Sequence, residues 1–236
     1  DAISHYNQAL QISRQIGNKM GEGITLGNLG NVYKDLGQTE EAISHYNEAR
    51  QIARQTGDKR GEGINLGSLG MVYDDLGQPE AAISRYNEAL QIARQIGDKK
   101  GEGVNLGNLG DLLIKVERWA ESEQHLGAAI EICKTTFPVA VGAFSGSLSL
   151  LYAQQSKMEE ALTLLQEGEP LVAVYPGEYA KFLCKKAKVL HLARRPAQAR
   201  ETLARAQSIA GEIGSNADSE LAKMITETTE FLKEEP

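Results

Sequence analysis

Cysteine, tryptophan and proline are scarce in this chain of 236 residues, which has two cysteines, one tryptophan and six prolines. Cys133 and Cys184 lie far apart in sequence, so they indicate neither a disulfide framework nor the closely spaced ligands of a zinc site. We expect both to be small buried residues in a reducing compartment. Aromatic residues make up 6% of the chain, fewer than an all-β protein would be expected to carry.

Positive charge and long hydrophobic runs are also lacking. The net charge is −7 and the isoelectric point is about 5.3, which argues against general nucleic-acid binding. Residues 135–156 contain no charged residue, yet serines and glycines interrupt them, so we predict a soluble helix there rather than a membrane span. No signal peptide pattern is present, and the expected location is cytoplasmic, with no membrane or nucleic-acid partner.

Catalytic and cofactor motifs are missing. The Gly-Glu-Gly at residues 21–23 does not have dinucleotide-loop spacing, and the sequence contains no phosphate-binding Gly-x-x-x-x-Gly-Lys-Ser/Thr. Cys184 and His191 are seven residues apart, about 10 Å along a helix, which is too far for a catalytic pair. His5, His45 and His125 recur at one repeat position and would be spaced by helix packing rather than share a metal. We therefore predict no enzyme activity, no cofactor and no metal.

The main positive feature is an internal repeat of 40 residues. Residues 21–60 and 61–100 are identical at thirty of forty positions, and the pattern continues from Gly101. Residues 1–20 match 41–60, so the sequence begins inside a repeat, which predicts that it is part of a longer protein. Fixed-period self-similarity of this length is typical of stacked repeat architectures.

Each repeat is predicted to form two antiparallel helices. The first runs from Gly21 to Leu36 and stops at Gly37, and the second runs from Glu40 to Gln55 and stops at Gly57, because glycine suits the left-handed residue that ends a helix. Apolar residues recur at helical spacing in both. The sequence therefore predicts an all-α protein of stacked helix pairs.

The apolar pattern resembles the tetratricopeptide repeat, although the period of 40 exceeds the usual one of about 34. The residues that carry the resemblance are Leu29, Gly30, Tyr33, Ala42, Tyr46 and Ala49. Gly-Asn-Leu-Gly-Asn at 27–31 resembles the Leu-Gly-Asn repeats of the Pins family of adaptors. It equally resembles bacterial arrays attached to kinases, nucleotide-binding switches or caspase-like proteases. The resemblance implies a right-handed superhelical solenoid in which first helices line a concave groove and second helices form its back.

The expected organisation is an array over 1–216 followed by a capping helix and tail over 217–236. The array comprises a half repeat at 1–18 and repeats at about 21–56, 61–96, 101–135, 138–173 and 178–213.

The resemblance implies a protein-interaction scaffold or adaptor that binds a partner protein or peptide in the groove. The alternative is a regulatory sensor array of a larger, bacterial signalling protein that controls a fused effector domain. Groove candidates by register are Asn28, Asn31, Lys34, Met71, Asp74, Asn108, Asp111, Leu150, Lys181, Lys185 and Lys188. The recurring asparagines either bind a peptide backbone or recur with the duplication, and the lysines either bind an acidic segment or form a solvated face. Self-association is left open.

Overall fold

All regular structure in the part of the chain described by this computed structural model, residues 2–217 and 219–234, is helical. The chain divides into two compact units, Asp1–Leu112 and Leu113–Pro236, with the boundary inside α6. The first six helices are α1 (Ala2–Gln15), α2 (Lys19–Asp35), α3 (Thr39–Thr56), α4 (Lys59–Asp75), α5 (Pro79–Ile96) and α6 (Lys99–Lys115). The others are α7 (Trp119–Thr136), α8 (Pro138–Gln154), α9 (Met158–Val172), α10 (Pro176–Leu192), α11 (Pro196–Glu212) and α12 (Glu220–Phe231).

The first helices of the repeats in the first unit begin two residues earlier than the sequence predicts. α2 starts at Lys19, because the side chain of Asn18 accepts a hydrogen bond from the Gly21 amide at 3.0 Å and caps the helix. Asp58 caps α4 in the same way, 2.9 Å from the Gly61 amide. The residues just before the Gly-Glu-Gly therefore form the helix start rather than a loop.

Left-handed glycines end the helices of the first unit. Gly57 has a φ of 74° and Gly97 a φ of 70°, directly after α3 and α5. Gly37, with a φ of 73°, follows Leu36 at the end of α2. The sequence predicted these stops at Gly37 and Gly57, and the structure confirms them.

A glycine-on-tyrosine contact brings the two helices of a repeat close together. A Cβ added to Gly30 of α2 would lie 2.6 Å from the ring of Tyr46 in α3, and one on Gly70 of α4 would lie 2.7 Å from Tyr86 in α5. Both tyrosines are almost completely buried. The absence of a side chain at these glycines therefore sets the packing distance of the hairpin.

A buried carboxylate joins each repeat of the first unit to the next. Glu62 of α4 is 3% exposed and accepts hydrogen bonds from Arg54 at the end of α3 and from Lys59, the latter at 2.8 Å. Burial tends to raise the pKa of Glu62, but the two hydrogen bonds outweigh it and the pKa is lowered. Glu22 and Glu102 are held in the same way, by Arg14 with Lys19 and by Arg94 with Lys99.

The second unit is built around α8 and α10, which pack against each other. α8 is the uncharged segment noticed in the sequence, and twelve of its seventeen residues are buried among α7, α9 and α10. It approaches α9 very closely, since a Cβ on Gly142 would lie 2.6 Å from the carbonyl oxygen of Gly168. Among the described residues, no helix combines the length and the apolar character needed to cross a membrane. α12 packs on α10 and α11.

Candidate peptide-binding groove

A cavity of about 190 Å³ opens in the first unit, between α2 and α4 with α3 beneath them. Its sides come from the first helices of two successive repeats, and its floor comes from the second helix between them. The lining residues are Met20, Gly23, Ile24, Gly27, Asn28, Asn31, Tyr46, Ala49, Ile52, Ala53, Thr56, Asp58, Gly61, Ile64, Asn65 and Ser68.

Two glycines of α2 lie in the wall of the cavity and pack closely against the neighbouring helices. A Cβ on Gly27 would lie 3.2 Å from the side-chain oxygen of Asn65 in α4. A Cβ on Gly23 would lie 3.2 Å from Ile52 in α3. Side chains at both positions would project into the cavity or against its walls. The Gly-x-x-x-Gly spacing on α2 therefore leaves two positions of the cavity lining without a side chain.

The walls of the cavity are mainly apolar and remain accessible to solvent. Ile24 of α2 and Ile64 of α4 occupy the same position in successive repeats and both line the cavity, and each is 58% exposed, as is Met20. Large apolar side chains that remain this exposed indicate a surface suited to binding an apolar group.

Hydroxyl and carboxamide groups border the apolar walls. The Tyr46 hydroxyl donates a hydrogen bond of 2.7 Å to Oδ1 of Asn31. Burial raises the pKa of Tyr46 to about 12, and a hydrogen bond with Ser68 offsets part of that rise. Asn65 donates to the Gly61 carbonyl at 2.8 Å. The polar border is thus largely uncharged, which suits a neutral ligand.

The structure brings some of the predicted groove residues of the first unit to this cavity and leaves others away from it. Asn28 and Asn31 line it. Lys34 is one turn further along α2 and lies 3.7 Å from the Asp35 carboxylate. The remaining candidates, Met71 and Asp74 of α4 and Asn108 and Asp111 of α6, are half-buried and are not among its lining residues.

In the second unit, Leu150 is partly buried against the core around α10. Lys181 has two carboxylate partners, Glu178 at 3.2 Å and Glu220 at 2.6 Å. Burial tends to lower the pKa of Lys181, but these carboxylates raise it overall.

The other two lysines of the predicted cluster also have partners. Lys185 donates a hydrogen bond to the Ser147 hydroxyl on α8. Lys188 lies 4.0 Å from Glu227 and over the ring of Phe231, and burial lowers its pKa. The lysines predicted from sequence share one helix, and two of them face α12.

Sequence reasoning missed the contribution of α3 to the cavity, because it assigned second helices to the back of the array. Tyr46, Ala49 and Ile52 line the floor. The signal was present in Gly23, where the lack of a side chain lets α2 lie close to Ile52 of α3. Both cysteines are buried, as predicted. Within residues 2–217 and 219–234, no group of three or more His, Cys, Asp or Glu is arranged to hold a metal ion.

Comparison of the sequence with known protein families identifies the family of this chain. The sequence matches the family described as Tetratricopeptide repeat over residues 1–55, 21–95 and 62–135, which together span more than half of the chain. The chain belongs to the tetratricopeptide repeat family. Its helix pairs are those of an all-α tetratricopeptide solenoid. A search of curated proteins finds no match.

Solved structures share this tetratricopeptide fold at low sequence identity. BtubC (BKLC) from P. vanneervenii is 16% identical with a TM-score of 0.71, and the match covers 91% of each chain. A Rap protein complexed with Competence and Sporulation Factor is 17% identical with a TM-score of 0.70, over 98% of this chain and 70% of that one. YrrB, a TPR protein with an unusual peptide-binding site, is 17% identical with a TM-score of 0.50, over 93% and 98%.

Proposed function

We propose that this chain is a scaffold or adaptor that binds an extended segment of a partner protein, and that the cavity between α2 and α4 receives an apolar side chain of that segment. The cavity carries the proposal, because it combines exposed apolar walls with a carboxamide border on the helix face where the sequence predicted binding. Solved structures of the same fold include a Rap protein complexed with Competence and Sporulation Factor and YrrB with its unusual peptide-binding site.

The volume of the cavity fits one medium-sized apolar side chain. An engineered apolar cavity of about 150 Å³ in another protein is large enough to bind benzene, and the cavity here is about 190 Å³. A leucine, methionine or phenylalanine side chain would therefore enter. Burying such a side chain stabilises a complex by about 1.5–3 kcal/mol, and preorganised walls reduce the entropy lost on binding.

The polar border would hold the peptide backbone on either side of that side chain. Asn28 and Asn31 each carry an amide that can donate to a carbonyl and an oxygen that can accept from an N–H. The Tyr46 hydroxyl already donates a hydrogen bond to Oδ1 of Asn31. The side-chain NH2 group of Asn31 would therefore be its donor to a peptide carbonyl. This arrangement favours main-chain contacts that do not depend on the peptide sequence.

The second unit suits a different feature of a partner, an acidic segment. Lys181, Lys185 and Lys188 lie along α10 in a chain whose net charge is −7. Carboxylates of a partner would form charge-assisted hydrogen bonds there. The sensor-array alternative, self-association, a cytoplasmic location and the likeness to the Leu-Gly-Asn repeats of the Pins family stay predictions.

A displayed library of random twelve-residue peptides, selected against the full chain, tests the cavity. We expect the selected peptides to share one large apolar residue and to bind the Gly27→Leu variant at least tenfold more weakly by calorimetry, because the new side chain fills the cavity.

Gly127→Leu is the matched control, since a Cβ at that helical glycine meets nothing within 4 Å, and its affinity should equal that of the parent. Circular dichroism verifies that both variants remain folded. Peptides without a common apolar residue, or with equal affinity for the parent and Gly27→Leu, would refute the cavity as the binding site.

A further inference from the structure

One face of α10 is covered by α12. Lys181, Cys184, Lys188 and His191 are spaced three, four and three residues apart, which puts them on one side of the helix. Their partners lie along or just beyond α12. Lys181 pairs with Glu220, and the Cys184 side chain makes a hydrogen bond with that of Thr228. Lys188 lies near Glu227 and Phe231, and His191 Nε2 is 3.0 Å from the Glu234 carbonyl oxygen.

The charges of the two helices match in register. Lys181 and Lys188 are seven residues apart, and so are Glu220 and Glu227. Lys181 pairs with Glu220 at 2.6 Å, and Lys188 lies 4.0 Å from Glu227. α12 therefore runs parallel to α10 and presents two carboxylates, two turns apart, to two ammonium groups with the same spacing. This is the pattern of an acidic amphipathic helix bound to a basic one.

The contacts that hold α12 are limited. Two of its twelve residues, Leu221 and Thr228, are buried, whereas nine of the seventeen residues of α10 are buried. The side chains of Glu220 and Glu227 are 60% and 68% exposed, so salt screens their attraction to the lysines. A helix of this length is marginal without its packing partner. Gly214, with a φ of 63°, lies in the segment that connects α12 to α11.

We propose that α12 is an exchangeable occupant of the basic face of α10, and that an acidic amphipathic helix of a partner, with carboxylates seven residues apart, takes its place. The proposal rests on the proposed function of this chain as a binding scaffold and names the partner of its second unit. α12 has the features that such a partner needs, namely the charge spacing and the apolar side chains Met224 and Ile225 that pack against the core.

Cys184 gives a direct readout of this exchange in the full chain. It is completely buried beneath α12, and burial raises the pKa of its thiol to about 11. A thiol reagent reaches it when α12 leaves. Cys133 of α7 is also completely buried and serves as the internal reference for opening of the rest of the unit. Mass spectrometry measures the labelling rate of each cysteine, and each rate is divided by the rate of the same cysteine in the unfolded protein in denaturant.

We expect Cys184 to be labelled at least tenfold faster than Cys133, and its rate to rise when NaCl increases from 50 to 500 mM. The double variant Glu220→Lys, Glu227→Lys should raise the Cys184 rate at least tenfold further and leave the Cys133 rate unchanged. Glu230→Lys is the control, because the described ion pair of Glu230 is with Lys233, just after the end of α12, and not with α10. Circular dichroism verifies that the variants remain folded.

A synthetic peptide of residues 219–234 tests the partner. Added to the double variant, it should slow Cys184 labelling at least tenfold, whereas the same peptide with lysine at 220 and 227 should not. Equal labelling of Cys184 and Cys133 in all variants would overturn the proposal, because α12 would then open only when the unit unfolds. Absence of protection by the peptide would overturn it as well. Neither result affects the cavity of the first unit, since the readout is confined to α10 and α12.

Discussion

Replacing Glu62 with glutamine removes the charge from a carboxylate that is 3% exposed and accepts hydrogen bonds from Arg54 and Lys59. A hydrogen bond to a charged group stabilises a protein by about 1.5–3 kcal/mol. Both cations are about half exposed, so they regain water when the charge is lost, and glutamine keeps one oxygen that can accept. We therefore expect the free energy of unfolding to fall by about 2 kcal/mol, or the melting temperature by about 4–8 °C for a chain of this length.

Urea unfolding followed by circular dichroism measures this loss, and Glu121→Gln provides the control. Glu121 also pairs with an arginine, Arg118, but both side chains are about half exposed, and water and salt leave an exposed pair with little net stabilisation. Glu62→Gln should therefore cost several times more than Glu121→Gln. Equal losses in the two variants would refute the reasoning that burial makes the difference.

The pH dependence of the same variant gives a second check with a defined sign. The pKa of Glu62 is lowered in the folded protein, so its contribution to stability is complete above the unfolded pKa of about 4.3 and is lost as the pH falls through the folded value. The difference in unfolding free energy between the parent and Glu62→Gln should therefore shrink between pH 7 and pH 3. A difference that stays constant over this range would show that the carboxylate charge is not responsible.

Two further predictions concern glycines that set helix spacing. Gly30→Leu should reduce the free energy of unfolding by about 1–3 kcal/mol through overpacking, since its Cβ would lie 2.6 Å from Tyr46, and a melting curve like that of the parent would contradict this packing. Gly142→Ala should destabilise the second unit by a similar amount in thermal melts, because its Cβ would meet the Gly168 carbonyl. Gly127→Ala should not lower the melting temperature, because there is open space around that position. Equal melting temperatures of the two alanine variants would contradict the close packing of Gly142.

The repeat made the helix pairs predictable from the sequence, because forty-residue self-similarity fixes the period and the glycines at 37 and 57 mark where helices end. The helix starts were less predictable. The start at Gly21 was predicted from the glycine, although a short polar side chain three residues before Gly21 or Gly61 caps a helix. The error of two residues came from giving the glycines more weight than the caps.

The candidate site was harder to predict, since it depends on distances between helices that the pattern of one helix does not contain. Asn28 and Asn31 were assigned to a groove by register, and the structure places both at the cavity. The covering of Lys181 by Glu220 involves residues 39 positions apart, and no local rule connects them. The buried ion pairs did leave a signal, an arginine eight residues before each Glu of the Gly-Glu-Gly, which hydrophobic patterning does not detect.

The buried carboxylates of the first unit make the junctions between its successive repeats interchangeable. Arg54 precedes Glu62 by eight residues, and Arg94 precedes Glu102 by the same eight. If residues 61–100 were excised, Arg54 would stand eight residues before Glu102, and Lys59 would stand where Lys99 does now. The new junction would have the same three charged side chains in the same register. Such an array can lengthen or shorten by whole repeats during evolution, since a gained or lost repeat needs no new contact at the junction.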